Sequence, residues 1–146
     1  MVQFYKIILL ISLIYTYPAF GISVSVSSNC QNGAIQYNFN NYSVYPDIKI
    51  KFSSYAYNPD YIFKEVIGKH DADIVVEDNN TPGFTVCKSS RGKTIKLSEY
   101  ENDPDFTIQI SKYVYGADYT IFNDSKIFTT EEVISILLLP NFIQLD

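Results

Sequence analysis

Apolar and polar residues alternate with a period of two in Ile22-Ser23-Val24-Ser25-Val26-Ser27. The same alternation runs through Ile35, Tyr37 and Phe39 and through Ile48, Ile50 and Phe52. Each stretch predicts a half-buried strand, since a strand turns successive side chains to opposite faces. The turn cluster Asn29 to Gly33 joins the first two, which predicts an N-terminal hairpin with Cys30 in its connection. The pattern then changes. Asn58-Pro59-Asp60 offers a cap with proline at the first helical position. Ile62, Phe63, Val66 and Ile67 follow at helical spacing, and Gly68 supplies a stop. A short helix over Pro59 to Ile67 is the expectation.

Asp73 to Glu77, Phe84 to Lys88, Lys93 to Tyr100 and Phe106 to Ile110 read as further strands, and Tyr119 to Phe122 as an edge. Phe84 to Lys88 and Lys93 to Tyr100 pair back naturally across Ser89 to Gly92. Short strands parted by turn residues indicate an antiparallel sheet. Near the end, Thr129 and Glu132 have the spacing of a capping box. The run Val133 to Leu139 that follows is apolar nearly all round and is ended by Pro140, the mark of a buried helix. The expected fold is therefore α+β: an antiparallel sheet with an N-terminal hairpin, one short helix before the sheet and a C-terminal helix. No internal repeat or linker is read.

Residues 1 to 21 read as a cleaved export signal. Lys6 precedes the apolar run Ile7 to Ile14, and Ala19-Phe20-Gly21 places small residues where signal peptidase needs them, so the cut falls after Gly21. About eight apolar residues are far short of the roughly 20 that a membrane span requires. The C-terminal run is broken by Pro140 and Asn141 and ends in Asp146, unlike a lipid-anchor signal. Residues 22 to 146 form one small secreted domain without a membrane anchor.

Composition narrows the picture. A hydrophobic fraction of 47% and an aromatic fraction of 16% exclude wholesale disorder. Thirteen Tyr and ten Phe favour strands. The formal charge of −5 and the single arginine, Arg91, disfavour nucleic-acid binding through phosphate neutralisation. In an oxidising compartment the two cysteines, Cys30 and Cys87, are most simply one disulfide, worth roughly 4 kcal/mol by loop-closure entropy. Asn41, Asn79 and Asn123 each open an N-glycosylation triplet.

Candidate chemistry is sparse. His70 is the only histidine, which excludes paired-histidine catalysis and the common two- and three-histidine metal sites. A trio of His70, Glu77 and Arg91 would supply a base and a phosphate clamp if register allowed; a solvated loop histidine is the simpler reading. Gly92-Lys93-Thr94 lacks the earlier glycine of a phosphate-binding loop. Lys88, Arg91, Lys93 and Lys96 form a basic cluster around the expected hairpin tip, either a solvated turn or a binding patch. Tyr55/Tyr57 and Tyr113/Tyr115 stack on sugars if exposed and fill a sheet face if not. No catalytic residue, metal site or cofactor is indicated.

The order of hairpin, short helix and sheet, with an export segment, a cysteine (Cys30) soon after the cleavage point, a single disulfide and abundant Tyr and Asn, resembles the ribonuclease-like secreted effectors of powdery-mildew fungi, although Ser28-Asn29-Cys30 stands where that family has Tyr-x-Cys. That family carries a ribonuclease T1-type fold without its catalytic residues. The resemblance implies a non-enzymatic interaction protein, a virulence effector acting on a host protein. A secreted hydrolase of the ribonuclease type is the alternative, and a carbohydrate-binding module a lesser one. Export predicts a secreted form that begins at Ile22. Intact mass of protein recovered from culture medium checks this, and a species retaining Ile7 to Ile14 would refute it.

Overall fold

The computed structural model describes residues 21–139, apart from 32, 80–83 and 114. Residues 1–20 of the expected export segment, and Pro140, expected to end the last helix, lie outside the described residues. Among the described residues nine strands and one α-helix follow in order: β1 (Ile22–Ser27), β2 (Ile35–Phe39), β3 (Ile48–Ser53), β4 (Tyr61–Glu65), β5 (Ile74–Asp78), β6 (Phe84–Lys88), β7 (Lys93–Ser98), β8 (Phe106–Ser111), β9 (Tyr119–Asn123) and α1 (Thr130–Leu137). A single 3-10 turn, Lys69–Asp71, precedes β5.

The strands close into a barrel in which every pairing is parallel, in the circular order β1-β6-β2-β7-β3-β8-β4-β9-β5. The chain circles twice. On the first circuit β1 to β5 take alternate places; on the second, β6 to β9 fill the four gaps, while β5 closes directly on β1. This corrects the antiparallel sheet expected from the sequence. No N-terminal hairpin forms, because β6 lies between β1 and β2. β6 and β7 do not pair back either, since β2 separates them. β9 is a full stave between β4 and β5 rather than an edge. The expected helix over Pro59 to Ile67 is β4: Phe63 is fully buried toward the interior and Ile67 stands 99% exposed, so the helical clustering of apolar residues never forms a face. Pairing with β8 and β9 overrides the local preference.

A repeat underlies this topology, contrary to the expectation of none. Ile22, Ile35, Ile48, Tyr61 and Ile74 open β1 to β5 at intervals of 13 residues, and Lys93, Phe106 and Tyr119 open β7 to β9 at the same interval. At eight of the nine junctions the first residue of a strand lies opposite the third residue of its neighbour, for example Ile48 opposite Ile95 and Phe106 opposite Ile50. Only β5 and β1 meet first residue to first, Ile74 opposite Ile22. A constant stagger tilts the strands of a closed barrel. Tilt also shortens the axial distance that each connection must recross. Eight residues, such as 40 to 47 between β2 and β3, reach at most ~26–29 Å, and a six-residue strand is already ~20 Å long.

At five of these junctions the stagger leaves a backbone amide near the start of the preceding strand facing no strand partner, and aspartate fills the place. Asp47 receives the Thr94 amide on its carboxylate at 2.6 Å and donates its own amide to the Thr94 carbonyl at 2.8 Å. The same reciprocal pair joins Asp60 to Thr107 (2.7 and 2.8 Å) and Asp73 to Thr120 (2.7 and 3.0 Å). It joins Asp105 to Lys49 (2.7 and 2.8 Å) and Asp118 to Ile62 (2.6 and 2.7 Å). Each aspartate directly precedes its strand. Gly92 stands there before β7, where a Cβ would come within 2.3 Å of the Gln36 carbonyl, so that backbone contact admits no side chain.

Alternate side chains fill the interior, with Val24, Val26, Ile50, Phe63, Ile74, Ile95, Ile108 and Ile121 essentially inaccessible. Aromatic rings of Tyr61, Phe106 and Tyr119, the first residues of β4, β8 and β9, gather with Phe63 at the N-terminal mouth. The helix closes the opposite mouth, and here the sequence-based expectation holds. The capping box is present: Thr129 accepts the Glu132 amide, and Glu132 accepts the Thr129 amide. Val133, Ile134, Ser135, Ile136 and Leu137 are all fully buried, so α1 sits within the core on every side. Cys30 and Cys87 are bonded, with Cα atoms 5.4 Å apart, which ties the β1–β2 connection to the strand lodged between β1 and β2.

Replacing Asp73 by alanine removes an acceptor for both the amide and the hydroxyl of Thr120. By analogy with helix N-caps, the expected loss is about 1 kcal/mol, with Asp73→Asn retaining most of the stability. The midpoints of urea unfolding curves for the two variants check this; equal midpoints would remove the structural role given to the carboxylate.

Candidate functional site

The repeat that sets the stagger also builds a surface feature at the end of four strands. Ser53, Ser98 and Ser111 close β3, β7 and β8, and each Oγ accepts the amide of a tyrosine two residues on: Tyr55 at 3.2 Å, Tyr100 at 3.1 Å and Tyr113 at 3.0 Å. After β2 the Asn40 side chain takes the same part, accepting the Tyr42 amide at 3.0 Å. These short side-chain turns fix the backbone of each tyrosine. The rings stay in solvent. Tyr42, Tyr55, Tyr100 and Tyr113 are 75–95% exposed, and Tyr45, Tyr57 and Tyr115 in the same connections are 91–103% exposed.

Far apart in sequence, these residues are neighbours in the fold. β2, β7, β3 and β8 are consecutive staves, so Tyr42, Tyr100, Tyr55 and Tyr113 follow in that order along one arc of the barrel. The sequence reading singled out Tyr55/Tyr57 and Tyr113/Tyr115 and left open whether they were exposed; all four are. It missed Tyr42, Tyr45 and Tyr100 as members of the same set. Ser-x-Tyr, at Ser43, Ser53, Ser98 and Ser111 with Pro or Gly one to four residues after the tyrosine, was the available signal for Tyr45 and Tyr100; Tyr42 follows Asn40 instead.

The other sequence candidates are dispersed. His70 lies exposed in the 3-10 turn and lines a cleft with Asp73, Asp118 and Tyr119. Glu77 lines a different one and holds Lys69 at 2.7 Å, while Arg91 lines neither. The structure therefore does not assemble the trio of His70, Glu77 and Arg91. Of the basic cluster, Lys88 and Lys93 both lie opposite Tyr37, on either side of β2. Lys88 pairs with Glu132 at 2.7 Å and lies over the rings of Phe39 and Phe128, and Lys96 pairs with Glu101 at 2.9 Å. The hydrogen bond from Lys96 holds the Glu101 carboxyl below its ordinary range. Arg91 and Lys93 are left exposed in and just after the β6–β7 connection.

Among the glycosylation acceptors, Asn41 is exposed although its Oδ1 accepts the Leu97 amide, and Asn79 is exposed at the end of β5. Asn123 is half-buried, its Nδ2 donating to the Phe128 carbonyl and the Thr130 hydroxyl. Among the described residues no group of three His, Cys, Asp or Glu side chains is placed to hold a metal ion. No helix among them is long and apolar enough to cross a membrane. No family model matches the chain, and comparison with curated proteins and with solved structures yields no match.

Tyr37, on β2, marks the contrast with the arc. It points into the barrel, and burial pushes its phenol up to about 12. A phenol whose pKa is raised on folding favours the fold below its unfolded value of about 10, and that contribution is lost as pH rises through 12, roughly 2–3 kcal/mol in all. Spectrophotometric titration should show one tyrosine ionising late, with the late step absent in Tyr37→Phe. Nitration mapped by mass spectrometry should modify the seven exposed tyrosines of these connections well before Tyr37; prompt nitration of Tyr37 would contradict its placement.

Proposed function

We propose that this domain is an exported, non-enzymatic recognition protein whose tyrosine arc binds a protein partner. The observation that carries this reading is the collection of Tyr42, Tyr100, Tyr55 and Tyr113 on four adjacent staves, each backbone fixed and each ring free. Solvent exposure of so many aromatic rings on a fold with a well-filled core is costly unless another surface covers them. The connections that carry them read Asn40-Asn41-Tyr42-Ser43, Ser53-Ser54-Tyr55-Ala56-Tyr57-Asn58 and Ser111-Lys112-Tyr113-Val114-Tyr115-Gly116. Tyrosine among serine, asparagine and glycine is the composition of protein-binding loops. Tyrosine supplies large contact area at small conformational cost, and the small polar residues supply adaptable hydrogen bonds. Export and the disulfide suit a partner met outside the producing cell, and a host-directed effector is one such protein.

Replacing Tyr42, Tyr55, Tyr100 and Tyr113 together by serine changes only exposed rings, so unfolding stability should stay near wild type. Capture from candidate host extract and activity in the native bioassay should both fall at least tenfold, while His70→Ala leaves both unchanged. Cleavage of single-stranded RNA by wild type that vanishes in His70→Ala would replace this reading with the hydrolase.

A further inference from the structure

Two of the glycosylation triplets, at Asn41 and Asn123, are treated by the fold in opposite ways. β2 ends at Phe39, opposite Ile95 of β7, and the Asn40 amide then donates to the Ile95 carbonyl at 3.0 Å. Beyond that point β7 has lost its neighbour on this side. Its Leu97 amide donates instead to the side-chain Oδ1 of Asn41 at 3.0 Å, so a side-chain carbonyl stands in for the missing strand. The nitrogen of the same amide is left over. Among the described residues Asn41 Nδ2 donates no hydrogen bond, and the residue is exposed. Asn40 holds the rest of the triplet in a tight turn, its Oδ1 accepting the Tyr42 amide at 3.0 Å and its carbonyl the Ser43 amide at 3.2 Å.

Asn123 uses its whole amide. Oδ1 accepts the Ser125 amide at 3.0 Å, and Nδ2 donates to the Phe128 carbonyl at 3.2 Å and the Thr130 hydroxyl at 3.3 Å. A sugar on that nitrogen replaces one of its two hydrogens. One acceptor beside the start of α1 would then lose its donor, at a half-buried place that also has to admit the sugar. The third triplet, at Asn79, extends beyond the described residues.

Resting on the export reading above, we infer that the folded, exported protein carries an N-linked glycan on Asn41 and none on Asn123. Transfer forms a bond from Nδ2 to C1 of the first sugar as the C1–O bond to a lipid-linked pyrophosphate donor breaks. The pyrophosphate leaves with the electron pair, and the amide gives up one proton. Oδ1 keeps the Leu97 amide, so the barrel's hydrogen bonding is unchanged. The glycan also divides the tyrosine arc. Asn41 directly precedes Tyr42 and is tied to Leu97, shortly before Tyr100, so the sugar rises where the staves carrying those two rings adjoin. Tyr55 and Tyr113, after β3 and β8, are the part left open.

The test produces the full chain, with its own export segment, in a eukaryotic cell line that glycosylates secreted proteins. Protein from the medium is treated with peptide N-glycosidase in heavy-oxygen water, which turns each glycosylated asparagine into labelled aspartate. Label is expected at Asn41 and absent at Asn123. Ser43→Ala removes the hydroxyl that transfer requires and leaves the bond of Asn41 to Leu97, so the secreted variant should lose the Asn41 label completely. Label at Asn123 in the secreted protein, or an unlabelled Asn41 there, would overturn the inference. Retention inside the cell with Ile7 to Ile14 attached and no glycan would overturn export and the inference together. Lactoperoxidase-catalysed iodination, in which a bulky catalyst must reach each ring, should modify Tyr42 and Tyr100 severalfold more slowly in the glycosylated protein than in Ser43→Ala, with Tyr115 unchanged. Equal rates in the two proteins would overturn the placement of the glycan on the arc. No partner enters these measurements, so failure of the arc as a binding surface and failure of the Asn41 glycan are told apart.

Discussion

The two-residue stagger between neighbouring strands, met by an aspartate at the start of the later one, is the constraint on which the barrel depends. A parallel strand that begins two residues late leaves a backbone amide of its neighbour without a ladder partner, and an amide in that position must find another acceptor. Asp47, Asp60, Asp73, Asp105 and Asp118 each supply one and donate back to the same residue. Because the device is the same at each of these junctions, the stagger accumulates evenly. The strands tilt, and connections of four to eight residues become long enough to join parallel neighbours-but-one.

Double winding follows from the same geometry. The first circuit alone would leave gaps that only further strands can fill, so β6 to β9 complete hydrogen bonding for β1 to β5 on both sides. No free edge remains, which removes the hazard of edge-to-edge association. Interior volume is then filled from three directions: inward side chains of the staves, the aromatic group at one mouth, and α1 at the other. The disulfide ties the first circuit to the second, since Cys30 lies between β1 and β2 in sequence and Cys87 lies between them in space.

The exposed tyrosine arc is a by-product of the repeat. Every circuit past β2, β7, β3 and β8 ends in a short side-chain turn that presents tyrosine, and interleaving brings first-circuit and second-circuit tyrosines side by side. The result is a rigid aromatic surface built on strand ends rather than on long loops. Rigid presentation limits the entropy lost when a partner covers the rings. Elsewhere, cationic side chains such as Lys88 and Lys96 are held in local ion pairs.

What the sequence by itself determined was local: which stretches alternate and therefore form strands, the capping box and all-round apolar run of α1, and the cysteine pair. Those features rest on side chains within a few residues of each other, or on there being no other partner to choose. Pro59 to Ile67 shows the limit, because its apolar spacing suits a helix and only the ladders to β8 and β9 make it a strand. Strand direction and order lay beyond sequence reasoning for a similar reason. Connections of Asn, Pro, Gly and Asp have the chemistry of hairpin turns whether the next strand returns beside its predecessor or two places away. The repeat was written in the aspartates and in Ser-x-Tyr, but it is short and broken between Asp78 and Lys93. Only the tertiary structure decided which residues 47 and 56 positions apart would meet, as Asp60 meets Thr107 and Asp105 meets Lys49, and so placed four distant tyrosines on one arc.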